Sequence, residues 1–367
     1  MVTLKEKVSQ LFICKTPDGF SDIKSFVNEG IGGFMIGKGG EFASFNQKDI
    51  EGDSEYSLKK FVKTINNLQK KKKKIPLFMA IDGEGGRYFN RLKNISTYKS
   101  PRDYGLKFEK DGNLKYFEKE VDKYAKLMRR IGINMNFAPL LDVAKKGYGG
   151  YVAAKKITIK NPGLTASEIE SSNRAYSDKK DTVVMMAITA MKVFQRNGII
   201  PTMKHFPSYG VLNVNENPHI ELPEIKLSRK SLMKHIDNYQ FAFKKGAYAI
   251  MTGHVVSAID KTRPASLSKK NYKFLREKLK FKGLVISDEL NMCSVRDYHG
   301  FSSYDKVAID AIKANDVILI SHPETFVFMR DAILDVAEEY NEIRGMVNDR
   351  YNRILRYKKK IGLIKAY

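Results

Sequence analysis

The sequence predicts an α/β protein: a single closed barrel of eight parallel strands wrapped by helices, the TIM-type (β/α)8 architecture, with extra helices at its C-terminal end. Three observations lead there. Short apolar runs recur eight times along the chain, each bounded by Gly, Pro, Asn or charge. Amphipathic helical patterns separate them. No Pro/Gly/Ser-rich linker interrupts the alternation. Strand and helix in alternation build a parallel sheet with helices outside it, and eight such units are the number that closes.

The elements follow in order. Met1–Gln10 reads as a capped amphipathic helix. The apolar runs are Leu11–Lys15, Gly33–Ile36, Pro76–Ile81, Asn134–Ala138, Pro201–Met203, Ala249–Thr252, Leu284–Ser287 and Val317–Ile320. They do not alternate with polar residues, as expected for parallel strands covered on both faces. The helical patterns are Ser57–Lys71, Lys115–Ile131 before Gly132, Ala175–Asn197 before Gly198, Ser228–Gly246, Ser268–Lys280 and Tyr304–Ala314. Ser228 is a natural N-cap, and glycine after the last periodic residue is a stop signal. Phe326–Leu363 is helical and basic and is expected on the outside. One domain, 1–367, is the economical reading, with the barrel over about 4–322 and a helical extension over 323–367.

Composition narrows the function classes. Hydrophobic residues make up 43%, enough to offset the conformational entropy that keeps polar chains disordered. No window of 18 apolar residues is present, so no membrane-spanning helix is expected. The N-terminus has no long apolar stretch with a small-residue cleavage site, so no signal peptide is read there. Cys14 and Cys293 make neither a disulfide framework nor a metal cluster. A reducing, cytoplasmic setting is therefore expected, with no metal and no organic cofactor. The net charge of +24 invites a nucleic-acid reading. Most of the basic residues are lysine, however, and they are spread along the chain apart from Lys70–Lys74. Sequence readers favour clustered arginine with interleaved aromatics, so a solvated basic surface is expected and nucleic acid is not.

In a barrel of this type chemistry sits at the C-terminal ends of the strands. Those ends carry Asp82, Lys204, His205, His254 and Asp288, and His219 lies just beyond the fifth run. Each has a structural reading. Asp82 and Asp288 can cap turns or helices, Lys204 and His205 can form a buried pair, and His254 can be a core histidine. Independent caps need not gather at one rim, which favours a pocket of carboxylates, a cation and imidazoles. Such a pocket suits a polyhydroxylated substrate: carboxylates accept from hydroxyls and ammonium groups donate to them. A carboxylate at the reacting carbon can act as nucleophile or stabilise an oxocarbenium-like transition state, and an imidazole can protonate the leaving oxygen. Gly83-Glu84-Gly85-Gly86 lacks the spacing of a phosphate-binding fingerprint.

Five motifs then carry a resemblance. They are Ile81-Asp-Gly-Glu-Gly-Gly-Arg87, Asn136-Phe-Ala-Pro-Leu-Leu-Asp-Val143, Lys204-His-Phe-Pro-Ser-Tyr-Gly210, Pro264-Ala-Ser-Leu-Ser268 and Ile286-Ser-Asp-Glu-Leu-Asn-Met292. In this order, over about 4–322, they resemble glycoside hydrolase family 3, in particular its single-domain bacterial β-N-acetylglucosaminidases of peptidoglycan recycling. The resemblance implies the same barrel and a retaining exo-glycosidase that removes terminal β-linked N-acetylglucosamine from cell-wall-derived glycans. It implies Asp288 as the nucleophile forming a glycosyl-enzyme and His219 as the acid/base. Asp82, Lys204 and His205 would hold the sugar. The sequence departs from the pattern in four places. Asn217 stands where an Asp should assist the acid/base His. Ser208-Tyr209 replaces Gly-His. The loop from Gly210 to His219 is longer, so that Glu216 offers a substitute carboxylate. At the Ile-Gly-x-Arg-Ser-Phe stretch, aligned with Ala153–Thr158, Lys156 is the nearest cation to replace a substrate-binding Arg. These departures support an alternative, a catalytically impaired homologue that binds an amino sugar or muropeptide. A third reading keeps the barrel but uses another sugar, a phosphate acceptor or a polyanion.

Overall fold

The structure is a computed structural model describing residues 2–36, 55–86, 89, 90, 92, 95–144, 158, 159, 169, 170, 174–213, 216–219, 221–299 and 304–365. Lys156 lies outside the described residues.

All eight apolar runs form strands of one sheet: β1 (Phe12–Lys15), β2 (Gly33–Ile36), β3 (Phe78–Ile81), β4 (Met135–Asn136), β5 (Ile200–Phe206), β6 (Ala249–Thr252), β7 (Leu284–Ser287) and β8 (Ile318–Ile320). Their spatial order is β7-β6-β5-β4-β3-β2-β1-β8, with every pairing parallel. The ring is brought round between β7 and the start of β8, where Ile286 bridges Val317 and the Ser287 N–H donates to the Val317 carbonyl at 3.0 Å. The strands are buried almost throughout, which explains their unbroken apolar character.

The two strands that differ most in length from the reading do so for reasons that lie in polar side chains. β5 runs on through Lys204 and His205 because both are buried against carboxylates rather than solvated. β4 is short because asparagine side chains take over part of the ladder. Asn134 Oδ1 accepts the Met79 N–H, and Asn136 both accepts from the Gly83 N–H and donates to the Gly83 carbonyl.

The helices are α1 (Leu4–Ser9), α2 (Phe20–Asn28), α3 (Glu55–Lys71), α4 (Pro101–Asp111), α5 (Lys115–Ile131), α6 (Lys180–Arg196), α7 (Arg229–Lys244), α8 (Lys269–Lys273), α9 (Cys293–His299), α10 (Tyr304–Ala314), α11 (Thr325–Glu339) and α12 (Asn341–Lys360). α5 shows why such segments are helical. Phe117, Val121, Tyr124, Ala125, Met128 and Ile131 fall on one face and are all buried, each large side chain contributing about 1.5–3 kcal/mol. Gly132 ends it in the left-handed region at φ 102°. Two helical readings need correction. The helix expected from Ala175 begins at Lys180, because Arg174 and Ser177 lie in a bent stretch and are committed to Glu84 and Glu109. The helix expected over Ser268–Lys280 is one short α-helix followed by a π-turn, Phe274–Lys278, where Arg276 donates to the Phe281 and Gly283 carbonyls. The C-terminal extension is two helices. The buried Lys358 of α12 donates to Gln10 Oε1 and the Gly32 carbonyl beneath β1 and β2, leaving the opposite rim for chemistry.

Candidate active site

The C-terminal strand ends bring most of the predicted residues together. After β3, the chain presents Asp82 and Glu84 toward Lys204 at the end of β5. The Lys204 ammonium lies 2.9 Å from Asp82 Oδ1 and 2.7 Å from Glu84 Oε1. Arg174 closes on the same Glu84 as a fork, Nε to Oε2 at 2.9 Å and Nη2 to Oε1 at 2.7 Å. This two-point geometry suits a guanidinium better than an ammonium. Lys204, Glu84 and Arg174 are buried, whereas Asp82 keeps a partly exposed side chain. Burial alone would raise the Glu84 pKa, but Arg174 and Lys204 override it and hold the carboxyl at about 2. Burial likewise opposes the charge on Lys204, and Asp82 and Glu84 outweigh it, moving its pKa upward. Glu84 and Lys204 are thus held in their charged forms, with Asp82 at the open edge of the cluster.

A second buried carboxylate organises the β5 end. Asp142 follows β4 and accepts from four donors. Oδ2 takes the His205 backbone N–H at 3.0 Å and the His205 ring Nδ1 at 2.9 Å. Oδ1 takes the Ser208 hydroxyl at 3.1 Å and the Tyr209 N–H at 2.8 Å. With Nδ1 committed to a carboxylate, the imidazole proton sits there and the ring orientation is set.

Asp288 follows β7 at the centre of the rim. Its Oδ1 accepts the Glu289 N–H at 2.9 Å and its Oδ2 accepts the Tyr209 hydroxyl at 3.1 Å. Burial works against its charge, yet the imidazoles of His254 and His205, the Glu289 N–H and Lys204 pull its pKa below the usual carboxylate range, to about 2. Asp288 is therefore ionised across the physiological range. The neighbouring Glu289 turns away, its Oε1 accepting the Asn291 and Ser321 N–H groups.

His254 is placed differently from the reading. Its ring is wholly buried, with Nδ1 2.7 Å from Ser266 Oγ and Nε2 2.7 Å from the Glu289 carbonyl. Both ring nitrogens serve the protein, so His254 supports the turn that carries Asp288 and does not offer its ring to a sugar.

His219 stands exposed at the mouth of the same site, close enough for Asp288, Arg174, His254 and His205 to act on its charge. Desolvation lowers its pKa, Asp288 raises it, and Arg174, His254 and His205 lower it; the net direction is downward. Solvent at the exposed face moderates the shift. The buried Asn217 accepts the His219 backbone N–H at 3.0 Å, a local turn rather than a link to the ring. Glu216, read as a substitute carboxylate, accepts the Asn213 N–H at 2.6 Å.

Sequence reasoning passed over Glu84, Asp142, Arg174 and Tyr209 as working parts of the site. For Arg174 a signal was present. Arg174-Ala-Tyr176 matches the Arg-Ser-Phe of the family stretch better than the residues around Lys156 do, once a longer insertion before it is allowed. Among the described residues no group of three or more His, Cys, Asp or Glu side chains is arranged to hold a metal ion.

Comparison with known proteins places the fold. A family model described as the glycosyl hydrolase family 3 N-terminal domain matches residues 3–155 and 165–357. The chain is 28% identical over 277 residues to a protein named β-hexosaminidase from Xylella fastidiosa, covering 74% of each chain. It is 27% identical over 248 residues to a β-hexosaminidase A from Pseudoalteromonas piscicida, covering 63% of this chain and only 38% of that longer relative. Among solved structures, a family 3 β-N-acetylglucosaminidase from Paenibacillus superposes with TM-score 0.81 at 24% identity, over all of this chain and 64% of its own. A β-N-acetylhexosaminidase from Beutenbergia cavernae superposes with TM-score 0.79 at 21% identity, over 98% and 99% of the two chains. These likenesses show the fold.

Proposed function

Because this chain belongs to the glycosyl hydrolase family 3 N-terminal domain family, we propose that it is a retaining β-N-acetylhexosaminidase releasing terminal β-linked N-acetylglucosamine from cell-wall-derived glycans. The observation that carries the reading is the ionised Asp288 at the barrel rim, beside the Lys204–Asp82 pair and the fixed His205. The names of the Xylella and Pseudoalteromonas relatives support the amino-sugar substrate.

The reaction divides into two displacements. An Asp288 oxygen bonds to the anomeric carbon as the glycosidic C–O bond breaks, and His219 gives its proton to the departing oxygen. Water then attacks the same carbon from the opposite face, His219 takes the water's proton, and the Asp288 carboxylate leaves. Asp82, Lys204 and His205 hold the sugar hydroxyls meanwhile, with Glu84, itself gripped by Arg174, fixing Lys204 from behind. Because the His219 pKa is lowered below the ordinary imidazole value of 6.5 and Asp288 stays ionised, the protonated acid is lost as pH rises through the acidic range and is scarce by neutrality. Turnover of substrates with poor leaving groups is therefore highest on the acidic side.

The test is nitrophenolate release from 4-nitrophenyl N-acetyl-β-glucosaminide by the purified chain. Saturable release is expected, because this leaving group needs little protonation. Binding of N-acetylglucosamine without any release would replace this reading with that of a sugar-binding homologue, which the uncharged Asn217 beside the acid/base favours. An amide cannot stabilise an imidazolium by charge, so Asn217→Asp supplies the missing anion. For that variant the alkaline limb of kcat/KM is expected to move up by about one pH unit, with roughly 10-fold faster cleavage of N,N'-diacetylchitobiose at pH 7. Rates on the nitrophenyl substrate should change little. Unchanged pH profiles would mean that a carboxylate at residue 217 does not reach the His219 ring.

A further inference from the structure

We propose that Tyr209 is a positioning residue that fixes Asp288 for attack, joining the nucleophile to the anchor that orients His205. The inference rests on the reading of Asp288 as nucleophile. It begins from a departure in the sequence, Ser208-Tyr209, that nothing in the function above has used.

Tyr209 is wholly buried and held at three points. Its N–H is bonded to Asp142 Oδ1 at 2.8 Å. Its ring leans on the His205 imidazole, with centroids 4.4 Å apart and planes inclined by 33°. Its hydroxyl lies between two partners, the His254 N–H at 2.6 Å and Asp288 Oδ2 at 3.1 Å. The phenol has one proton and the backbone N–H can only donate. The oxygen therefore accepts from His254, and its own proton goes to the carboxylate. Asp288 then has a neutral donor on Oδ2 and the Glu289 N–H on Oδ1, one protein donor for each oxygen, which pins rotation of the carboxylate.

The surroundings are shaped for this phenol. A Cβ at Gly253 would lie 2.7–2.8 Å from the Tyr209 Cζ, Cε1 and hydroxyl, so glycine there leaves the room the ring needs. The Ser208 hydroxyl, itself on Asp142, accepts the Gly210 N–H at 3.0 Å and steadies the turn from the other side. One carboxylate, Asp142, thus orients both the imidazole expected on the sugar and the phenol on the nucleophile. The phenol adds no charge, so it can hold an ionised Asp288 without neutralising it as an adjacent cation would.

The test uses the full chain, 4-nitrophenyl N-acetyl-β-glucosaminide as substrate and N-acetylglucosamine as competitive inhibitor. For Tyr209→Phe, kcat is expected to fall about 10–100-fold, the scale of one hydrogen bond to a charged group, with the inhibitor constant held within about twofold. Tyr209→His, which restores a ring N–H donor, should recover part of the loss. Gly253→Ala, which keeps the hydroxyl but displaces the ring, should reproduce the loss, and it replaces Tyr209→Phe if that variant does not fold. A Tyr209→Phe enzyme with wild-type kcat overturns the proposal. So does an equal loss of kcat and inhibitor affinity, which marks a general structural role. Should the wild type turn over substrate and Asp288→Asn be dead while Tyr209→Phe is unaffected, only this inference falls. A wild type without turnover removes the reading beneath it and this inference together.

Discussion

Asp288→Asn is expected to reduce hydrolysis of 4-nitrophenyl N-acetyl-β-glucosaminide by roughly 10⁴–10⁶-fold, the scale on which removal of a catalytic nucleophile acts. The substitution is close to isosteric. The amide oxygen can still accept from the Glu289 N–H or the Tyr209 hydroxyl, the two donors that hold the carboxylate. The fold should therefore survive, with far-UV circular dichroism unchanged and a melting temperature within a few degrees of wild type. What is lost is the anion, which burial disfavours but the surrounding imidazoles, N–H and ammonium keep in place. An amide oxygen cannot form the glycosyl ester. Because nitrophenolate leaves without assistance, the loss must appear even if the acid/base is weak, which separates Asp288 from His219. Retention of more than about a hundredth of the wild-type rate would be too much for a residue in that role.

The barrel was legible because its strands are buried on both faces, and nothing polar obscures the runs at Ala249–Thr252 or Leu284–Ser287. Where polar side chains do backbone work the pattern gives less. Asn134 and Asn136 replace ladder bonds between β3 and β4, and no periodicity announces that. α4 was missed although Ser100-Pro101-x-Asp103 is a capping box with proline in the first turn, because the helix after it has few apolar residues to read. The rim residues were legible as types at strand ends; their partners were not. Arg174 and Glu84 are 90 residues apart and Tyr209 and Asp288 are 79 apart, separations that only closure of the barrel bridges. His254 shows the converse. Its position at a strand end resembles a site residue, yet Ser266 and the Glu289 carbonyl, both distant in sequence, use its ring. Fold class follows from local pattern, while the division between residues that touch substrate and residues that hold them depends on contacts the pattern does not contain.

Lys204→Met is expected to cost both activity and stability, and the pH dependence of the second identifies its cause. Lys204 is 3% exposed and its ammonium lies within 3 Å of Asp82 and Glu84, so removing it leaves two neighbouring carboxylates with Arg174, on Glu84, as the remaining cation of the cluster. Breaking a buried ion pair from one side costs about 3–5 kcal/mol. Activity should fall at least about 100-fold, since Asp82 loses the partner that aims it and small misplacements of a holding group are that expensive. Glu84 sets the pH signature. Its folded pKa of about 2 lies below glutamate's ordinary 4.5. The unfolded chain thus binds more protons between those values, and stability from this group is fully present above about 4.5 and lost as pH falls toward 2. Without Lys204 the depression shrinks, so the variant has less of this stability to lose. The gap in melting temperature between wild type and variant should be widest at pH 6–7 and should narrow steadily as pH drops from 4.5 to 3. A gap that does not change with pH would point to lost packing of the lysine stem rather than to the charged cluster. A variant that melts with the wild type and keeps its kcat/KM would mean that the Lys204–Asp82–Glu84 cluster neither holds the rim together nor holds the sugar.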